Sequence, residues 1–347
     1  MKRAGFLAAS LLLLFTVSVF AQPVEHIPPG RFWVTVDGDS TTVPYVSSHD
    51  LDGVHPELTR AVIFIPPGPR DVVNMAQRVV GAGNQAGVSD TTFYAGLQYL
   101  LLNDLQAHEL ETSDIAYWNF QDWGDGDLSR TTPAAPRDVF VSSFTFLDSL
   151  VVLTDQICPN LNCIVICGNS EAGQFISRYQ ALTRIPTEFP DLPPIVFTPM
   201  NSGNFLYVSR ERMSSSGEIG VPCNLITTTI DYYNEYPYGL ENLNEYGAES
   251  GADYIREQYP NRWINHLAGS LDNGANTDNL PMALQGFNNN MRCKIIIQVH
   301  EAFYGYPLPR TQFFEIPGAG HSNIWNFSEI WYPLFHYTPP SDNRTDG

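Results

Sequence analysis

The stretch Cys163-Ile164-Val165-Ile166-Cys167-Gly168-Asn169-Ser170-Glu171-Ala172-Gly173-Gln174-Phe175 decides the fold of this chain. Residues 162–167 read as a strand buried on both faces, as in the interior of a parallel sheet. Across 171–184 the apolar residues Ala172, Phe175, Ile176, Tyr179 and Leu182 recur at helical spacing. Between the two, a Gly-x-Ser-x-small-Gly pattern puts Ser170 at the tip of a sharp strand-to-helix turn. A serine there sits in a strained backbone conformation, and bulky side chains two residues to either side would collide. Gly168 meets that demand, and Ala172 is a small departure from a second glycine. Ser170 is therefore a candidate nucleophile.

Outward from this stretch, strands and helices alternate. Residues 32–36, the turn Asp37-Gly38 and residues 41–46 read as an N-terminal hairpin. Ala61 to Ile65 is a continuous apolar run, hence a central strand, followed by a Pro/Gly-rich loop and a helix over about 71–80. Further strands are expected at 114–118, 194–200, 263–268 and 312–316, with helices at 142–157 and 282–303. This order argues for an α/β fold with a mostly parallel sheet covered on both faces. Residues 202–261 break the alternation. They are rich in Tyr, Asn, Glu and Gly and read as an aromatic-rich, cap-like insertion over the C-terminal edge of a single domain.

A serine hydroxyl is a weak nucleophile at neutral pH and needs a general base, itself oriented by an acid. When the serine sits on such a strand-to-helix turn, the acid and then the histidine follow it in the chain. His26, His49, His55 and His108 precede Ser170; His266 falls in a predicted strand and His300 in a predicted helix. His336 lacks a glycine-rich turn. His321 follows the last predicted strand in Pro317-Gly318-Ala319-Gly320-His321 and is the expected base. Asp272, reached through Gly269-Ser270-Leu271 after the strand at 263–268, is the expected acid, with Asp278 and Asp231 as rivals. An oxyanion needs two backbone N–H donors. One is expected from Glu171 and the other from the loop Pro66-Pro67-Gly68-Pro69-Arg70-Asp71. Its prolines donate nothing, which leaves Gly68 or Arg70, with Gly68 preferred. Tyr207, Tyr233 and Tyr236 are candidate substrate contacts.

The first residues read as a secretory signal: Lys2 and Arg3, an apolar stretch from Leu7 to Phe20, and Ala21 before a mature start at Gln22. The 347 residues carry 37 acidic and 18 basic side chains, a formal charge of −19. So acidic a chain has no footprint for nucleic acid or anionic lipid. A protein that is secreted or periplasmic, monomeric and free of the membrane after signal cleavage is expected. Five cysteines in an exported chain suggest disulfides. Cys158 with Cys163 and Cys223 with Cys293 are the expected pairs, leaving Cys167 free. No Cys/His spacing resembles a zinc site, and no cofactor is expected.

Taken together, these residues resemble a family of secreted or periplasmic α/β-hydrolases. Members carry His-Gly-x-x-Arg-Asn after the third strand, a Trp-rich segment, a Ser-Ser-Phe helix start and Gly-His-Ser-Ala-Gly-Gly-Gln at the nucleophile. An Asn-Pro-Ser-Ser-x-x-Tyr strand end, Tyr-Asn-x-x-x-Tyr-Gly-Leu, Gly-x-x-Asp and Pro-Gly-x-Gly-His follow. The matching segments here are Arg70-Asp71, Trp118 to Trp123, Ser142-Ser143-Phe144, Gly168 to Gln174, Asn201 to Tyr207, Tyr233 to Leu240, Gly269 to Asp272, and Pro317 to His321. The resemblance spans roughly residues 60 to 325 and implies Ser170, Asp272 and His321 as a catalytic triad. Two departures stand out. Pro66-Pro67 replaces His-Gly, and Asn169 and Glu171 replace the His and Ala beside the serine. A carboxylate at 171 would repel a developing oxyanion if it turned inward, and would not if it faced solvent.

The expected function is a serine hydrolase, foremost a carboxylic ester hydrolase acting on a small-molecule or polymeric ester. A catalytically weak or inactive binding protein of the same fold, or a peptidase or amidase on the same triad, are the alternatives.

Overall fold

The structure, a computed structural model, describes residues 22–110, 113–222, 232–274 and 279–340. The expected signal segment lies outside them, as do the rival acids Asp231 and Asp278.

Eight strands form the central sheet: β1 (Arg31–Val36), β2 (Asp39–Ser47), β3 (Arg60–Phe64), β4 (Thr92–Leu97), β5 (Cys163–Asn169), β6 (Ile195–Met200), β7 (Trp263–Gly269) and β8 (Thr311–Ile316). Their order across the sheet is β1-β2-β4-β3-β5-β6-β7-β8. β1 and β2 pair antiparallel, as do β2 and β4; every other neighbouring pair is parallel. The mostly parallel α/β architecture expected from the alternation is present.

Alternate residues of the central strands feed two cores on opposite faces. Ile63, Ile164, Ile166 and Phe197 pack against helices α2 (Ser143–Ile157) and α3 (Glu171–Leu182) through Phe146, Leu150, Phe175 and Tyr179. Val62, Phe64, Val165 and Cys167 face α1 (Val72–Gln85) through Val72, Met75 and Val79, and the C-terminal Leu334 and Phe335. A smaller core joins Phe205 and Tyr207 to Cys293, Ile296 and Val299 of α4 (Asn289–Tyr304).

Several expectations need correction. The strand expected at 114–118 is reduced to Tyr117–Trp118, paired with Leu100–Leu101 outside the main sheet. The sheet strand of that region is β4, whose burial on both faces removes any alternation from its sequence. The helix expected over 282–303 is a short turn of helix, Leu280–Ala283, followed by α4. Asn288 begins α4 by accepting the Met291 N–H, a side-chain cap that separates the two.

The disulfide expectation is overturned: Cys158, Cys163, Cys167 and Cys293 are buried free thiols. Cys158 belongs to the core on one face of the sheet and Cys163 to the core on the other, so closeness in sequence does not bring their sulfurs together. Burial pushes both thiols up to about 11. Cys223, the expected partner of Cys293, lies outside the described residues.

Among the described residues no helix is long and apolar enough to cross a membrane.

Candidate active site

Parallel pairing aligns the C-terminal ends of β5 to β8, which is where open α/β sheets carry their sites. The register sets Asn169 beside Met200, Met200 beside Leu267, and Gly269 beside Ile316. Four loops therefore leave the sheet at one level, and they bring Ser170, Asn201, Asp272 and His321 together.

Ser170 has φ 65° and ψ −123°, a strained conformation for a residue with a Cβ. The turn is over-determined by its neighbours. Ser170 donates its N–H to the Met200 carbonyl at 3.0 Å, and Gln174 donates to the Ser170 carbonyl at 3.1 Å. A Cβ on Gly168 would lie 2.5 Å from the Ala172 Cβ, and one on Gly173 would lie 2.6 Å from the Met200 carbonyl oxygen. Only glycine lets the helix start this close to the sheet.

His321 bridges the other two groups. Its Nε2 is 2.9 Å from Ser170 Oγ, and its Nδ1 is 2.9 Å from Asp272 Oδ2. Asp272 is 1 % exposed, a burial that a carboxylate tolerates only with donors around it. Asn289 Nδ2 donates to both of its oxygens at 3.2 Å, and the Gly274 N–H lies 3.4 Å from Oδ1. The Asp272 hydrogen bond, and to a smaller degree the charge of Glu171, raise the His321 pKa above its ordinary value against the effect of burial.

Two residues that the sequence reading gave no role hold the histidine loop. Asn201, at φ 44°, donates to the carbonyls of Gly320 (3.4 Å) and His321 (3.1 Å) and accepts the Gly269 N–H at 2.8 Å. Asn169 donates to the His321 carbonyl at 3.1 Å and accepts from Asn201 at 3.0 Å. Asn289 is a third such residue. The only sequence signal for it is the Asn288-Asn289-Asn290 run at a helix start, which by itself indicates a cap.

The oxyanion side differs. Of the two candidate donors in the loop after β3, Arg70 spends its N–H on the Pro67 carbonyl at 2.7 Å, leaving Gly68. Arg70 also braces that loop. Its buried guanidinium bonds both Asp104 oxygens at 2.9 and 3.0 Å and the Gly68 carbonyl at 3.2 Å. The Gly68 N–H donates to Glu171 Oε2 at 3.2 Å. The same oxygen accepts from Ser170 Oγ at 2.6 Å. The carboxylate is thus turned inward. Two like charges 4 Å apart cost about 4 kcal/mol at an effective dielectric of about 20, so an oxyanion and this carboxylate cannot share the position. The Glu171 N–H, in the first turn of α3, has no intrahelical acceptor.

Two clefts meet at Ser170. One, of about 630 Å³, is lined by Phe120, Trp123, Asp125, Gln174, Tyr238 and Met282 among others. The second, of about 600 Å³, lies between Pro67, Met75, Arg78 and Trp325. In the first, burial pushes the Asp125 carboxyl up to about 6, although Arg178 at 3.1 Å opposes the shift. The tyrosines expected at the substrate lie elsewhere. Tyr207 and Tyr233 are fully buried with Arg212 between them, 3.9 and 5.0 Å from their ring centres. Tyr236 hydrogen-bonds the Asp125 carbonyl. Tyr238 and Phe120 line the cleft instead. A groove of similar size, about 630 Å³, sits at the opposite ends of the strands, among Phe189, Pro194, Trp263 and Pro340, far from Ser170 along each of them.

Glu25, His26 and Asp71 offer ligand atoms within 4.8 Å of one another, the one such group among the described residues. Asp71 is already engaged there, accepting from the Asn74 N–H at 2.9 Å as the cap of α1 and lying 2.9 Å from His26 Nδ1.

No protein-family model and no curated protein sequence matches the chain. Solved structures do. A poly(3-hydroxybutyrate) depolymerase from Bordetella parapertussis superposes with a TM-score of 0.55 at 15 % identity, over 91 % of this chain and 92 % of that one. A poly(aspartic acid) hydrolase from Sphingomonas sp. KT-1 gives 0.53 at 17 % identity, over 88 % and 97 %. Identities this low speak for the backbone alone: the chain shares the fold of these two proteins.

Proposed function

We propose that this protein is a serine hydrolase, a carboxylic ester hydrolase in the first place, with Ser170 as nucleophile, His321 as general base and Asp272 as orienting acid. The observation that carries the reading is the continuous Asp272–His321–Ser170 contact, 2.9 Å at each step, on a strained turn at the end of a parallel strand. In the reaction Oγ attacks the ester carbonyl while Nε2 takes its proton. The tetrahedral intermediate collapses, and the imidazolium gives that proton to the departing alcohol. Water, activated by the same nitrogen, then cleaves the acyl-enzyme and releases the acid. Asp272 holds the Nδ1–H tautomer through its 2.9 Å contact. The N–H groups of Gly68 and Glu171 would hold the oxyanion.

Two clefts on either side of the serine suit an ester, whose acyl and alcohol portions diverge from the scissile carbonyl. Both named structural relatives are hydrolases of polymers, which supports a hydrolytic role. We read residues 202–261 as a cap-like insertion over one end of the sheet, and the N-terminal segment as an export signal, so the enzyme would act outside the cytoplasm. The inward carboxylate of Glu171 favours a second reading, a protein that keeps the triad but binds without turnover.

Fluorophosphonate labelling separates the two readings. Labelling of the folded protein that maps to Ser170 and is lost in His321→Ala is expected. A folded wild-type protein that stays unlabelled, along with its variants, overturns the hydrolase reading.

A further inference from the structure

The carboxylate of Glu171 sits in the place a substrate must use. Its Oε2 accepts from the Gly68 N–H and from the Ser170 hydroxyl. That is the position of one oxygen of the acid product of ester hydrolysis, held by the enzyme's own side chain.

Two further observations support this placement. First, Gly68 has no left-handed φ to demand glycine, but a Cβ there would lie 2.9 Å from Glu171 Oε2 and 3.0 Å from its Cδ. The missing side chain at 68 is the space the carboxylate fills. Second, among the described residues only Ser170, Glu171 and His321 line both clefts. Glu171 therefore stands at the saddle where a scissile carbonyl would lie. A third hollow of about 500 Å³ on its other side, beside Phe120 and Arg70, offers room for the side chain to move into.

We propose that Glu171 is a resident occupant of the oxyanion site and thereby sets substrate selectivity, a step that rests on the hydrolase reading above. An ester that fills both clefts is anchored on each side of its carbonyl and displaces the carboxylate. A small ester that fills one cleft has little binding energy to do so and reacts slowly. The serine is also quieted in the resting state. Its Oγ lies 2.6 Å from the Glu171 carboxylate and 2.9 Å from His321 Nε2, so the carboxylate competes with the base for the hydroxyl proton.

The test compares wild type, Glu171→Ala and Glu171→Gln, each beside its own Ser170→Ala version as the inactive control, with p-nitrophenyl acetate and a fluorophosphonate as probes. One oxyanion donor is worth about 10²–10³ in rate, so freeing Gly68 should raise kcat/KM for the acetate ester about 10- to 100-fold in Glu171→Ala. Glu171→Gln keeps the volume and loses the charge, and should gain less. Added acetate should inhibit Glu171→Ala by re-entering the vacated site, and should leave wild type unaffected. A merely structural glutamate would not create that sensitivity.

Rates equal to or below wild type in both variants, with Ser170 still labelled and acetate without effect, overturn the proposal and leave the hydrolase reading standing. If no protein labels at Ser170, the hydrolase reading itself falls and takes this proposal with it. Melting curves show which variants are folded, and Glu171→Gln provides the answer should Glu171→Ala be unstable.

Discussion

The two sides of Ser170 are built differently. On the histidine side the acid and the backbone have partners outside the three central residues. Asp272 has Asn289, and the His321 backbone has Asn201 and Asn169. On the other side the N–H of Gly68 is satisfied by Glu171, the neighbour of Ser170 in the chain. The first arrangement is pre-organised and needs no movement. The second must be undone before a carbonyl can enter. Buried donors do not remain unpaired at rest; what matters for catalysis is whether the resting partner can leave.

The largest expected effect tests the histidine side. Replacing Ser170 or His321 by Ala should lower ester turnover by at least about 10³-fold, and Asp272→Asn by about 10⁴-fold, because the wrong tautomer then faces the serine. Single-turnover kinetics on folded protein would check this. A loss below tenfold would mean that the site lies elsewhere.

Next is the brace of the oxyanion loop. Arg70→Met leaves the buried Asp104 carboxylate without its counter-ion and should cost about 3–5 kcal/mol in urea unfolding. It should also slow turnover, since Gly68 loses the group that holds its carbonyl. Intact stability would show that the loop keeps its shape unaided.

Asn289→Ala is a smaller change. Hydrogen bonds to a charged group are worth about 1.5–3 kcal/mol, and about a tenfold fall in kcat with KM little altered is expected. A rise in KM without a fall in kcat would assign Asn289 to substrate binding.

The mildest test is pH. The His321 pKa is raised, chiefly by Asp272, and the histidine must be neutral at Nε2 to act as a base. Activity should therefore rise with pH and reach half its maximum above the ordinary histidine value of about 6.5. The stability linkage runs the other way. A raised folded pKa means that this pairing contributes fully below about pH 6.5 and is lost as pH climbs through the folded value. Opposite slopes of activity and unfolding free energy in that window are expected. Parallel slopes would mean that a different group governs one of them.

Much of the site's position was legible in the chain. The apolar run 163–167 with glycines at 168 and 173 fixes a turn geometry almost alone, because steric exclusion at those glycines is local. The order of Ser170, Asp272 and His321 follows from loops at successive strand ends. β4 was not legible, because Thr92 and Gly96 interrupt its apolar run while burial on both faces removes any alternation. Cys158 and Cys163 were misread because closeness in sequence says nothing about which face of a sheet a thiol enters. The tyrosines at 207 and 233 went to the core, where Arg212 lies against both rings.

What the chain determined by itself is therefore whatever depends on local sterics and on periodic burial: the alternating elements, the strained serine and the loops that follow it. Only the tertiary structure decided where long, charged and aromatic side chains point. The direction of Glu171 depends on a glycine 103 residues earlier, whose absent side chain and free N–H make the inward position available. No short-range pattern encodes a contact between two loops that meet only once the sheet has formed.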